Sequence, residues 1–367
     1  MEPYWTKYST YANERWIDRK LVDAFRDEFI SMNPSYWVVA CKMGRIYIND
    51  HQMVDPDYVV MAGDKIEHVI HQHEHPILSN SHIDIIENND ELLVIDKPPS
   101  IPVFPRGRHH RQSVMEIIST SYGIGNLRVL HGLSRIASGL CVFAKSIIAE
   151  SKFRKYVEKN ECHKEYICIT DGVFPDGEIV CNQPIGTLIP SLGIHYISDT
   201  GKSVETRFRR LWTDGVVSAV RCVMGAGRTH QIRVHLQYLG FPIKGDRMYN
   251  SYVWGPNKGK NADYVKTHEK LCSDIEKEYK FSLWLERIDP GYEKRLEDLV
   301  NQEVSVEKDV SLEDRPNFDP ICIYCHTMKL VVPDNYFMIY LHCIKFSAGD
   351  WIYSTTLPDW AKHPDEV

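Results

Sequence analysis

The sequence predicts an α+β fold built on a largely antiparallel mixed sheet. β-Rich runs outnumber helical patterns and are rarely separated by a helix-length segment, which argues against a doubly wound parallel sheet. Turn pairs such as Asn49-Asp50, Asp55-Pro56 and Gly63-Asp64 close successive runs. At 367 residues the chain has room for two or three domains, each with a core.

The elements follow in chain order. In "WIDRKLVDAFRDEFISM", Trp16, Ile17, Leu21, Phe25 and Phe29 recur at helical spacing, so residues 1–35 are expected to be a helical extension. "GRIYINDHQMVDPDYVVMAGDKIEHVIH" alternates short β-rich runs with turns and predicts a small domain over residues 36–76. "HIDIIENNDELLVIDKPP" reads as two strands joined at Asn88-Asn89-Asp90 and opens a second domain over residues 83–254. Further strands are expected at "GLCVFAKS", "KEYICIT" and "VVSAVRCVM". In "RTHQIRVHLQYLG", Ile232, Leu236 and Leu239 share a helix face and Gly240 supplies the C-cap. Residues 255–320 have fewer turn signals and read as a helical, acidic insertion. Strand character returns in "YFMIYLHCIKF" and "DWIYSTT", within a closing segment over residues 321–361.

Composition narrows the class of function. Apolar residues make up 43% and charged residues 25%, as in a globular protein. No apolar run approaches the ~20 residues of a membrane span. The opening "MEPYWTKYSTYANERW" mixes acids with aromatics, unlike a secretory or transit signal. Ten scattered cysteines suit reduced thiols, so a cytoplasmic or nuclear location is expected. The net charge of −7 equals the acidic excess of residues 261–320, which leaves the remainder neutral overall. Within that remainder, residues 97–111 hold four bases and no acid, and residues 201–250 hold nine bases and three acids. Such tracts suit a groove that follows a phosphate backbone.

Two clusters invite a metal reading. "CIYCH" carries Cys322 and Cys325 at CxxC spacing, and His68, His71, His73 and His75 form a histidine run. Zinc needs four ligands in good geometry; the CxxC pair offers too few, and the histidines are irregularly spaced inside a segment that reads as a hairpin. The expectation is scattered thiols near a strand, an ordinary hairpin, and no metal. "RGRHHR", from Arg106 to Arg111, combines a flexible glycine with dense positive charge and suits contact with an RNA backbone.

One segment, "GRTHQIRVHLQYLGFPIKGD", resembles the "GRTHQIRvHlxxlGhPIxGD" segment of the RluA-type pseudouridine synthases, eukaryotic branch. Other segments match in the same order. "VIDKPPSIPVFPRGRHHRQS" is similar to the family's "vvnKPsGipVHPxGr" loop, and "CHKEYICITDG" to its "KxYxAxvxG" strand. "VLHGLSRIASGLCVFAKS" falls where the family carries "vHRLDrxTSGLllfAK". The likeness runs over residues 83–249 and returns at "YLHCIKFSAGDWIYSTTLPDW"; the segment ending at Pro76 is similar to the small ribosomal-protein-like RNA-binding domain.

The resemblance implies a sheet of the pseudouridine synthase type and isomerisation of uridine in structured RNA, transfer or ribosomal. It implies no cofactor, no metal, no nucleotide cofactor and no membrane, and a monomer. The family's reaction flips the base and rests on one aspartate carboxylate. At that position this chain has Ser134. The family's flipping arginine is Gly132, the threonine of its "TSGL" is Ala137, and the loop's glycine and histidine are replaced by Ser100 and Phe104. Tyr166 matches the tyrosine that stacks near the target base. Arg233 matches the cation that pairs with the aspartate, and so is expected to have lost its partner. Lys97, Arg106, Arg108, Arg111, Arg135, Arg207, Arg228 and His230 are the expected RNA contacts. A serine hydroxyl is a poor nucleophile without an adjacent base. The resemblance therefore points to an RNA-binding protein with impaired isomerisation. The alternatives are an active synthase using a displaced carboxylate, Asp96 or Asp246, and a protein-binding module whose working surface is the acidic tract.

Overall fold

The computed structural model describes residues 1–29, 32–78, 82–279, 286–308, 310–329, 332, 336–363 and 365. The chain forms two compact units, residues 1–76 with 283–331 and residues 77–282 with 332–367. Residues 255–320 therefore are not a separate insertion. The helix His268–Tyr279 belongs to the second unit, where Leu271 and Ile275 pack with Tyr249 and Trp254. The helix Tyr292–Val300 belongs to the first, where Tyr292 and Leu296 join Trp37 and Val39. Apolar pairs four residues apart lie beneath the acidic faces of both helices, and burying them fixes each half to its own core.

The first unit opens with a strand rather than a helix. In Tyr4–Tyr11, β-branched and aromatic residues suit a strand, and it pairs antiparallel with Lys65–Gln72. Lys65–Gln72 also pairs with Ile46–Ile48, and that strand with His51–Met53. The helical periodicity after Trp16 gives only Leu21–Glu28, and a second helix, Pro34–Lys42, starts where Asn33 caps it and Pro34 occupies the first turn. Arg45 is 1% exposed and donates to both Asp319 oxygens, at 2.8 and 3.0 Å, which ties the returning segment to the sheet. Ile321 and Cys322 lie in this unit, so the closing strand of the second unit begins only at Leu341.

The histidine run and the CxxC pair, expected to be unrelated, converge in this unit. His68 is a core residue bonded to the Tyr36 hydroxyl at 3.0 Å, but His71 and His73 meet Cys322 and Cys325 with their ligand atoms within 4.8 Å of one another. The expectation of no metal weighed the two clusters separately; the fold takes two histidines from one and two thiols from the other.

In the second unit, ten strands among the described residues form one sheet. Its order is Glu178–Cys181, Thr206–Thr213, Val217–Met224, Cys162–Asp171, Leu341–Ala348, Ser138–Ala144, Leu92–Lys97 and Asp84–Asn88. Off this order, Trp351–Ser354 pairs with Leu341–Ala348 and Arg128–His131 with Ser138–Ala144. The pairings are antiparallel except Leu341–Ala348 with Ser138–Ala144. Side-chain alternation divides the core. Leu92, Val94, Leu140 and Val142 face one cluster, and Leu93, Ile95, Cys141 and Phe143 face the other. Leu341–Ala348 thus lies in mid-sheet, beside the strand that carries "SGLCVFA". Gly139, at φ +108°, permits that approach, because a Cβ there would stand 2.4 Å from the Cys343 backbone.

Candidate active site

Every expected site residue lies in the second unit, and Ser134 is in the loop of residues 132–137 between the strands Arg128–His131 and Ser138–Ala144. The loop is held at several points. The Ala137 N–H donates to the Ser134 carbonyl at 3.2 Å, and the Ile339 N–H to the Ile136 carbonyl at 3.0 Å. Lys97 reaches the Arg135 carbonyl at 3.3 Å while also donating to the carbonyls of Pro98 and Ile101, at 2.7 and 2.9 Å. His342, opposite Ser138 in the parallel register, bonds the Ser138 hydroxyl at 2.9 Å and that of Thr355 at 2.7 Å. Ser134 itself is half-buried, and its hydroxyl has no hydrogen-bond partner among the described residues.

His131 is not arranged to activate Ser134. Its ring stacks on Phe346, and Nε2 faces the Tyr166 hydroxyl and the Cys343 sulfur, each at 3.4 Å. Burial, reinforced by Lys164, holds its pKa well below the ordinary histidine value, so it is a weak base. Tyr166 is itself buried, which pushes its phenol pKa well up and keeps it neutral.

Arg233 is not without a partner, contrary to expectation. It is 3% exposed, and its Nε and Nη2 donate to the two oxygens of Asp246 at 2.6 and 2.7 Å. Burial works against its charge, but the Asp246 carboxylate outweighs that and raises its pKa. Asp246 also accepts from the N–H groups of Met248 and Tyr249 at 3.1 and 3.2 Å, and Arg233 lies over the Tyr249 ring at 4.7 Å. A carboxylate thirteen residues on therefore fills the role left open. Asp96, the other candidate acid, has its pKa raised to about 6 by burial and by Asp84 across the strand pair. By alternation it projects from the opposite face to Lys97, whose ammonium holds the loop.

Several expected RNA contacts are structural. Lys97 is fully buried, which lowers its pKa to about 8, and its three carbonyl bonds make it a brace for the loop. Arg135 donates to the Tyr336 carbonyl at 2.9 Å and lies over that ring at 4.4 Å. His230 takes a left-handed conformation, φ +58°, and bonds the Tyr249 hydroxyl at 3.0 Å. Burial, then Arg233 and His195, hold its pKa well below the ordinary value and the ring neutral. Arg207 is exposed but paired with Glu178 and Glu205, at 3.2 and 2.9 Å. Arg106, Arg111 and Arg228 are exposed, and Arg108 is half-buried in the turn that Arg106 and His109 close. Sequence reasoning missed Arg247. It lies near enough to Arg135 for the two charges to repel, and burial lowers its pKa first of all.

The loop substitutions have local consequences. Ser100 stands at φ +77°, where a glycine is free of strain, and its hydroxyl accepts the Leu78 N–H at 3.1 Å. Phe104 is exposed. Gly132 is exposed, and a Cβ added there would meet Val129 Cγ1 at 3.1 Å, so a side chain fits once Val129 gives slightly.

The family model described as RNA pseudouridylate synthase matches residues 91–238, which include this loop and Arg233. The uncharacterized protein K07E8.7 of Caenorhabditis elegans is 46% identical over 98% of this chain and 84% of its own length. RNA pseudouridine synthase 7 of rice is 33% identical over 98% of this chain and 89% of its own. The mitochondrial tRNA pseudouridine(32) synthase of Saccharomyces cerevisiae is 32% identical over 98% of this chain and 76% of its own. With identity of this level along almost the whole chain, this protein belongs to the RNA pseudouridylate synthase family.

Proposed function

We propose that the chain is an RluA-type member of its family that binds structured RNA, transfer RNA first, and whose uridine isomerisation is lost or greatly weakened. The observation that carries the reading is Ser134, a neutral hydroxyl in the loop where the family resemblance calls for a carboxylate. The surroundings support it. His131 is turned toward Tyr166 and Cys343, both oxygens of Asp246 are occupied by Arg233 and backbone N–H groups, and Asp96 projects from the opposite face. Those contacts argue against a displaced carboxylate. The division of the acidic tract between two cores argues against its being one working surface. A relative named for tRNA favours transfer over ribosomal RNA. No disulfide joins any of the ten cysteines, which is in keeping with a cytoplasmic or nuclear location.

Arg106, Arg111 and Arg228 are exposed cations that can meet phosphates. Binding of transfer RNA should weaken as salt rises, because phosphate contacts release counterions. Arg228→Ala should weaken it about threefold to tenfold and lower the slope of log affinity against log salt by roughly one. Filter binding across a salt series measures both. Binding that ignores salt and is unchanged in the variant contradicts the reading.

A further inference from the structure

We propose that His71, His73, Cys322 and Cys325 form a tetrahedral zinc site that fastens the two chain segments of the first unit together. Cys325 Sγ stands 3.2 Å from His71 Nδ1 and 3.3 Å from His73 Nε2, and these two nitrogens are 3.2 Å apart. Three atoms in such a triangle cannot all be joined by hydrogen bonds. A ring nitrogen has one lone pair or one proton, aimed in one direction in the ring plane, and partners at the corners of an equilateral triangle lie far from a common line. The groups converge on a shared point. A tetrahedral zinc with ordinary bond lengths would set its ligands about 3.3 Å apart for two nitrogens and about 3.6 Å apart for nitrogen and sulfur, close to what is seen.

The backbone is shaped for the same purpose. Cys322 and Cys325 flank one tight turn, closed by the Cys325 N–H on the Cys322 carbonyl at 3.1 Å. The Asp319 N–H donates to Cys325 Sγ at 3.3 Å, a contact that stabilises a thiolate. On the other side, His71 is the last residue but one of the strand Lys65–Gln72, and His73 follows it two positions on, on the same face. Two thiolates and two imidazoles select zinc among common divalent ions, and a neutral Zn(Cys)2(His)2 core suits a site where Cys322 and His71 are 5% and 1% exposed. Four protein ligands leave no open position, so the role is structural. A redox dithiol would need only the CxxC pair and gives no reason for two histidines to point at it.

The ligand pairs are about 250 residues apart in sequence, and residues 77–282, the main part of the second unit, lie between them. Metal binding would close this long loop and so stabilise the first unit as a whole. The experiment uses the full chain. Purified native protein should carry one zinc per chain by mass spectrometry of the metals. Cobalt exchanged into it should show visible bands of tetrahedral cobalt and near-ultraviolet charge transfer from thiolate. Cys322→Ser/Cys325→Ser should retain zinc in fewer than about one chain in ten, while Cys272→Ser, in the other unit, keeps it. Should the double variant fail to fold, the cobalt spectrum of the native chain decides: thiolate charge transfer supports the site, and its absence overturns it. A native chain that takes up no zinc or cobalt, or a folded double variant that keeps its zinc, also overturns it.

Discussion

Asp246→Asn is expected to lower the unfolding free energy by about 3–5 kcal/mol, because it leaves the Arg233 guanidinium buried without its counter-charge. The side chain keeps its shape, so packing is little altered and the loss is electrostatic. Arg233→Met should cost a similar amount, since it strands the carboxylate instead. The double variant Arg233→Met/Asp246→Leu should recover much of either loss, because no buried charge then remains to be desolvated. Urea denaturation of the four proteins gives the coupling directly. An Asp246→Asn protein within about 1 kcal/mol of native would mean that the pair is solvated and that Arg233 is available elsewhere.

Acid should loosen the fold through His342. Burial holds its pKa down to about 4 from 6.5, so the folded protein tolerates only the neutral ring. The unfolded chain binds a proton near pH 6.5, and the folded chain does not until near pH 4. The group's contribution is therefore complete above pH 6.5 and is lost as the pH falls toward 4, to a total of about 3 kcal/mol. His342→Gln should flatten that part of the stability curve relative to native, with Ser138 and Thr355 still able to bond the amide. His131 and His230 are shifted the same way, so the native slope will exceed one group's share. Equal slopes in native and variant between pH 6.5 and 4 would contradict the assignment.

What the sequence reveals depends on how far its signals reach. The strands of the second unit and the helix Gln231–Leu239 are legible because their periods are local, and Gly240 takes the expected left-handed cap at φ +85°. The strand Tyr4–Tyr11 was not, because its pairing partner lies about sixty residues away and the neighbouring helical pattern is stronger. Lys97 reads as surface charge in any sequence; only three convergent carbonyls explain burying it. The "IRVH" and "KGD" residues were recognisable as a motif, yet the pairing of Arg233 with Asp246 was not, since the resemblance assigned that arginine to residue 134. Two-ligand metal fragments are weak alone, and the fold joins them across some 250 residues.

Of the departures from the family pattern at residues 100, 104, 132, 134 and 137, those at 132 and 134 are expected to account for most of the lost isomerisation. Tritium release from transfer RNA labelled at uracil carbon 5 tests it, comparing native protein with Gly132→Arg/Ser134→Asp. Val129 can give the few tenths of an ångström that a Cβ at position 132 needs, and the exposed site leaves the rest of the arginine room. The native chain should release tritium only at background, and the double variant well above it. Release by the native protein would contradict that expectation, and would require a carboxylate other than one at position 134.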